Sequence, residues 1–176
     1  MSITIDALIQ ELEQEAQTTR RVLERVPGDK LAWKPHDKSM SLGQLALHVA
    51  SVPGAIAEIC QSSPFEAPDF IQEPAKSAAE LVPTLEKSVK RAQEILRSMD
   101  DADLGKMWRV TAGGQEVMAL PVAAVLRSIM LNHWYHHRGQ LSVYLRQVGA
   151  LVPSIYGPSA DENPFAAAAQ RQAAAV

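Results

Sequence analysis

The stretch LNHWYHHRGQLSVYLRQVG, residues 131–149, decides the fold: its apolar residues recur at helical spacing and it carries three histidines within five residues. With Pro121 as an opening residue and Gly149 as a C-cap, it predicts a helix running from Pro121 to Val148. At ~100° per residue, His137 falls about 40° from His133 and one turn further on, whereas His136 falls about 60° to the other side. His133 and His137 therefore project together. The same face is expected to carry Leu126, Met130, Leu141, Tyr144 and Val148, which sets the histidine pair in the apolar stripe and leaves Leu131, Tyr135 and Arg138 on the outer side.

Three more helices precede this one. Ile5, Leu8, Ile9, Leu12, Val22 and Val26 recur at helical spacing from Ile3 to Val26, and Pro27-Gly28-Asp29 stops the run. Lys30 to Met40 reads as an ordered loop. Ser41 followed by Gln44 forms a capping box that opens a second helix with Leu42, Leu45, His48, Val49 and Val52. Pro53 cannot donate to Val49, so a kink or break is predicted there before the helix resumes to Cys60. Gln61 to Pro74, rich in proline, is expected to wrap over the bundle as a loop. Ser77 caps a third helix over about Ala78–Met99. Around Gly113-Gly114 the pattern alternates, which predicts a short β-hairpin or an extended lid.

The fold class expected is all-α: a four-helix bundle with a long connection between helices two and three and a short β-hairpin before the last helix. Residues 1–152 form its one domain and residues 153–176 a C-terminal tail, whose Ala-rich end is a marginal helix. Composition agrees, with 47% hydrophobic residues, 21% charged and only 5% aromatic. A net charge of -3, with no basic run beyond Arg20-Arg21, argues against a nucleic-acid partner. No export signal, no membrane span and a single cysteine, Cys60, predict a cytoplasmic protein without disulfides.

Two imidazoles one turn apart in an apolar stripe need partners, and a shared metal ion satisfies one nitrogen of each at ~2.0–2.1 Å. His48, among Gln44, Leu45, Val52 and Ile56, is the third ligand expected from a facing helix. His136 reads as a residue that supports a ligand or pairs with a backbone or carboxylate group, His36 as a surface residue and Cys60 as a small buried hydrophobe. The motifs of metalloproteases, di-iron bundles, serine hydrolases and phosphate-binding loops are absent from the sequence.

Residues 3–149, through WKPHDKSMSLGQLALHVASVPG and LNHWYHHRGQLSVYLRQVG, resemble the DinB-like superfamily of DNA-damage-inducible four-helix bundles, which are related to thiol-dependent S-transferases. The resemblance implies a divalent metal on His48, His133 and His137. It also implies a homodimer, for which Leu131 and Tyr135 on the outer face offer a surface. The metal expected is zinc or nickel, zinc first, with iron or manganese behind them.

The leading expectation is a metal-dependent enzyme acting on a small molecule, with a low-molecular-weight thiol as cosubstrate. A metal-dependent hydrolase and a non-catalytic metal-binding or stress-response protein are the alternatives. S-transfer ranks above hydrolysis because no Asp or Glu lies on the last helix and the nearest acid to His48 on its own helix is Glu58. The expected pocket is lined by Gln44, Met130 and Tyr144.

Overall fold

The apolar periodicity of the N-terminal segment folds as expected. In a computed structural model of the chain, which describes residues 3–69 and 71–166, helix α1 (Ile3–Leu23) buries Ile5, Leu8, Ile9, Leu12 and Val22. Helix α2 (Leu42–Ile59) starts at the predicted capping box. The Gln44 N–H donates to Ser41 Oγ, and the Ser41 N–H donates back to Gln44 Oε1. α2 is the one described helix long and apolar enough to cross a membrane by length and composition. Its apolarity has another use, because α2 packs against α1, α3 (Leu81–Ser98) and the last helix.

No break occurs at Pro53. The helix continues through it because the groups that proline would orphan find partners elsewhere. The Val49 carbonyl, which loses the residue-53 N–H, accepts the indole N–H of Trp134 at 2.7 Å. One turn on, Ser88 Oγ accepts the Gly54 N–H at 2.8 Å and donates to the Ser51 carbonyl at 2.9 Å. This contact needs glycine, since a Cβ at position 54 would lie 2.8 Å from the Ser88 carbonyl oxygen. Gly54→Ala is therefore expected to destabilise the protein by about 1–3 kcal/mol despite alanine's better helix propensity. Thermal melting should show a lower midpoint; an unchanged one would mean that α2 and α3 separate freely there.

An all-α class is incomplete. The fold is mostly helical but includes a three-stranded mixed sheet of β1 (Phe65–Glu66), β2 (Met107–Ala112) and β3 (Gln115–Pro121), in the order β1-β2-β3. The predicted hairpin is its antiparallel half, turning on Gly113 and Gly114 at φ 58° and 76°. β1 joins β2 in parallel from within the segment read as loop. Two residues are too few to show a strand period, so only the pairing reveals them. The sheet closes the C-terminal end of α2, where Trp108 Nε1 donates to the carbonyls of Ile59 and Ser62, both at 3.0 Å. None of its residues lines the cavity of the histidines, so the lid alternative fails.

Between α3 and β2, Asp100 and Asp103 cap the short α4 (Asp101–Gly105). Ser77 makes no side-chain cap, and residues Ala78–Glu80 form a 3₁₀ turn before α3.

The last helix is continuous from Val122 but irregular. It runs as α5 (Val122–Ala124), a π-helical segment Val125–Asn132 and α6 (His133–Gln147). The widened turns shift the residues before His133 from the ideal angular phase. In α6 the buried stripe is Trp134, Arg138, Leu141 and Leu145. Leu131 is likewise wholly buried, and Tyr135 is half-buried with its hydroxyl donating to Glu11 at 3.0 Å. The outer face assigned to Leu131, Tyr135 and Arg138 is thus packed against the core, with Tyr135 alone partly exposed. After Gly149 the chain turns back, and Arg21 and Arg146 hold Glu162 and Asp161. The Ala-rich end expected as a short helix lies, from residue 167 on, outside the described residues.

Candidate metal centre

His48 comes from the second turn of α2, and His133 and His137 from the first two turns of α6. All three are half-buried on the flank of the core rather than within its stripe. One ring nitrogen of each lies within 4.8 Å of the other two, so the three residues could hold a metal ion. His48 Nε2 and His133 Nε2 are 3.2 Å apart, close to the ~3.3 Å edge expected between two nitrogens bound tetrahedrally at about 2.05 Å.

The opposite ring nitrogens show which tautomers face the centre. His48 Nδ1 lies 2.9 Å from Gln72 Oε1, and the Gln72 amide is oriented by its own donation to the Glu73 carbonyl. His137 Nδ1 lies 2.7 Å from Gln140 Oε1. His133 hydrogen-bonds to the Ile129 backbone. The π-helical register favours that bond, since the His133 backbone N–H goes to Ser128 and Met130 and passes over Ile129. Each ring thus donates outward to an oxygen acceptor and turns its Nε2 lone pair inward. Three convergent lone pairs repel one another unless they share a cation or a proton. The donor set is suited to a borderline-soft divalent ion.

Gln72 is the residue that sequence reading missed. It lies in the loop before α3, and Gln44 Nε2 donates to its carbonyl at 2.8 Å. The capping box of α2 is thereby tied to the orientation of His48. No periodicity marks this loop, so nothing in the sequence could single out Gln72.

Burial lowers all three imidazoles, and in His137 the neighbouring histidines add to it, bringing that ring to about 4. The rings are neutral at pH 7. Because the unfolded chain binds protons at about pH 6.5 and the folded one only lower, their contribution to stability is complete above that pH. It is lost as pH falls toward about 4. The melting temperature of metal-free protein should accordingly decline between these values, and less so in His137→Gln. Equal slopes for the two proteins would disprove the assignment.

A cavity of about 550 Å³ opens over the cluster, lined by the three histidines, Gln44, Gln72 and the loop residues Lys34, Asp37, Lys38, Ser39 and Met40. Gln44 lines it as expected. Met130 is fully buried instead, and Tyr144 packs edge-on against Trp33 at 5.4 Å. His136 is exposed, its ring 5.0 Å from that of His137 and outside the cluster. His36 is exposed, accepting the Lys38 N–H, and Cys60 is a buried free thiol raised to about 12 by desolvation. Asp37 puts a carboxylate at the cavity that the helices alone do not supply.

Known proteins resemble this chain in sequence or in fold. The protein YrdA of Bacillus subtilis (strain 168) is 28% identical over 163 residues, 90% of this chain and 92% of its own. A DinB-like protein from Bacillus cereus ATCC 10987 superposes with a TM-score of 0.66 at 23% identity, covering 86% of this chain and 97% of that one. A more distant neighbour is mycothiol-dependent maleylpyruvate isomerase, with a TM-score of 0.52 at 14% identity over 87% of this chain and 65% of that one. The family model described as DinB family matches residues 1–171. With a match over nearly its whole length, the chain belongs to the DinB family.

Proposed function

We propose that this protein is a metal-dependent enzyme that transfers a low-molecular-weight thiol to an electrophilic small molecule. His48, His133 and His137 would hold zinc or, next, nickel. The observation that carries the reading is the convergence of three Nε2 lone pairs beside an open cavity, each oriented by an acceptor on its other ring nitrogen. A bound divalent ion would supply positive charge that lowers the pKa of a coordinated thiol. The chain's own residues then have distinct tasks. Gln72 and Gln140 fix two of the rings, and the loop carrying Lys34 to Met40 walls the cavity where the electrophile would enter. The distant structural neighbour supports the thiol, because its name is that of a thiol-dependent enzyme. A four-helix bundle of α1, α2, α3 and the last helix, a homodimer and a cytoplasmic location belong to the same proposal.

Asp37 favours a second reading, metal-dependent hydrolysis, in which it would act as general base. The two readings separate in one experiment. Metal-loaded protein is assayed for conjugation of monochlorobimane with bacillithiol, mycothiol, glutathione and coenzyme A in turn, and for hydrolysis of an ester and amide panel. S-transfer predicts metal-dependent conjugation above a His48→Ala control, with Asp37→Asn little changed. Metal-dependent turnover of the esters or amides alone, lost in Asp37→Asn, would reverse the order.

A further inference from the structure

A second cavity of about 500 Å³ adjoins the first, and the two share Lys34 and Gln44 in their linings. Its walls are apolar at Leu31 and Pro74, with Ser41, Gln44, Lys34 and Lys76 as polar groups; no acidic residue lines it, although the Glu80 carboxylate accepts the backbone N–H of Lys76 from outside the lining. The histidine cavity, by contrast, has the carboxylate of Asp37 in its lining beside Lys34 and Lys38. Among the described residues, Lys34 and Lys76 form no ion pair, a state they share with Lys38, Lys87 and Lys90, so it is their place on one cavity that sets them apart.

The two loops that carry these lysines are strapped to the start of α2. The Leu42 N–H donates to the Trp33 carbonyl at 2.8 Å, the Gly43 N–H to Leu31 at 2.9 Å, and the Ala75 N–H to Gly43 at 3.3 Å. Gly43 permits this approach, because a Cβ there would lie 3.1 Å from the Leu31 carbonyl oxygen. The first amides of α2 are consumed by these bonds and by the Ser41 cap, so the helix end offers them to no ligand. Positive charge in the cavity comes from the side chains. Ser41 adds a hydroxyl whose oxygen accepts the Gln44 N–H and whose proton is not used in that bond.

We infer that the adjoining cavity is an anion subsite, in which Lys34 and Lys76 hold a carboxylate or phosphate group of a ligand whose other end reaches the three histidines across Gln44. The subsite extends the function proposed above and rests on it for the identity of that other end, but its own test needs no metal. An apolar wall flanked by two lysines suits an organic acid better than a bare ion, because the carbon skeleton covers Leu31 and Pro74 while the acid meets the ammonium groups.

The test is a titration of full-length, metal-free protein with malonate and, separately, with inorganic phosphate, followed by amide chemical shifts. Saturable shifts at Lys34, Gln44 and Lys76 are expected, weakening as salt is raised. Lys34→Gln and Lys76→Gln should each weaken binding about fivefold, the scale of one solvent-exposed charge pair. Lys87→Gln and Lys90→Gln on α3 serve as charge-matched controls and should leave it unchanged. Tighter binding of malonate would identify a carboxylate ligand, and tighter binding of phosphate a phosphorylated one. The subsite is overturned if neither anion gives saturable shifts, if the α3 controls weaken binding as much, or if His48→Ala abolishes it, which would move the anion to the histidine centre. Failure of the metal-dependent assays with anion binding intact would count against the proposed enzyme and not against the subsite.

Discussion

Alanine at His48, His133 or His137 is expected to reduce metal retention to background, while alanine at His136 leaves most of it. The difference rests on position. The first three rings have nitrogens within 4.8 Å of one another, whereas His136 is exposed and outside that cluster. Removing a partner that merely orients a ligand costs ~10–100-fold in metal affinity, so removing one of three ligands should cost more than ~100-fold. Gln72→Ala provides the intermediate case, expected about tenfold weaker, since His48 keeps its place on α2 but loses the acceptor that fixes its tautomer. Elemental analysis of protein purified without a His-tag, followed by zinc and nickel titration of each variant, measures the series. Equal loss in all three helix-six variants, His136→Ala included, would overturn the assignment. So would less than ~0.2 metal per chain with no uptake by the unaltered protein, an occupancy far below a ligand set that binds at micromolar metal.

How far the sequence could carry this site differs residue by residue. His133 and His137 are legible because a four-residue spacing on a helix is a local fact, insensitive to the rest of the fold. His48 requires one assumption, that facing helices bring it across. Gln72 requires the path of a loop, and β1 requires a pairing that two residues cannot announce. The burial of the last helix departs from the ideal-pitch expectation for a different reason. A stripe counted at ideal pitch gives the polar side to Arg138 and the apolar side to the histidines, but the π-helical turns alter the phase before His133. After it, Trp134 and Arg138 occupy the core, since each has a polar partner waiting in α2 or α1. Pro53 shows the same effect. Local chemistry predicts a break, and the carbonyl that would have been orphaned is supplied by an indole 85 residues away in sequence.

That core role gives Arg138 the largest expected effect on stability. Its side chain is 1% exposed, and Nη2 lies 2.6 Å from Glu15 Oε2. Nη1 donates to the Glu15 carbonyl and to Thr19 Oγ1, at 3.2 and 3.1 Å. Nη2 also donates to the Tyr156 hydroxyl, which itself donates to Glu15 at 3.0 Å, and the guanidinium lies 5.2 and 5.1 Å from the rings of Tyr135 and Tyr156. One residue thereby joins α6, α1 and the segment that returns after Gly149. Arg138→Ala leaves the Glu15 carboxylate, 10% exposed, without its cation, a loss of about 3–5 kcal/mol. For a chain of this length that is a fall of about 6–20 °C in melting temperature. Lysine should rescue little, because a single ammonium cannot replace a planar fork shared among Glu15, Thr19 and Tyr156. The double variant Arg138→Met with Glu15→Leu should recover much of the loss, since replacing both members of a buried pair removes the stranded charge. Arg138 also adjoins His137 and, with Trp134, sets the rotation of α6 that presents His133 and His137 to His48. Metal affinity should therefore fall in Arg138→Ala even at temperatures where the protein remains folded, and recover in part in the double variant. A full loss of stability in the double variant, equal to the sum of the two single changes, would show that the two residues act independently and that the pair does not lock the helix.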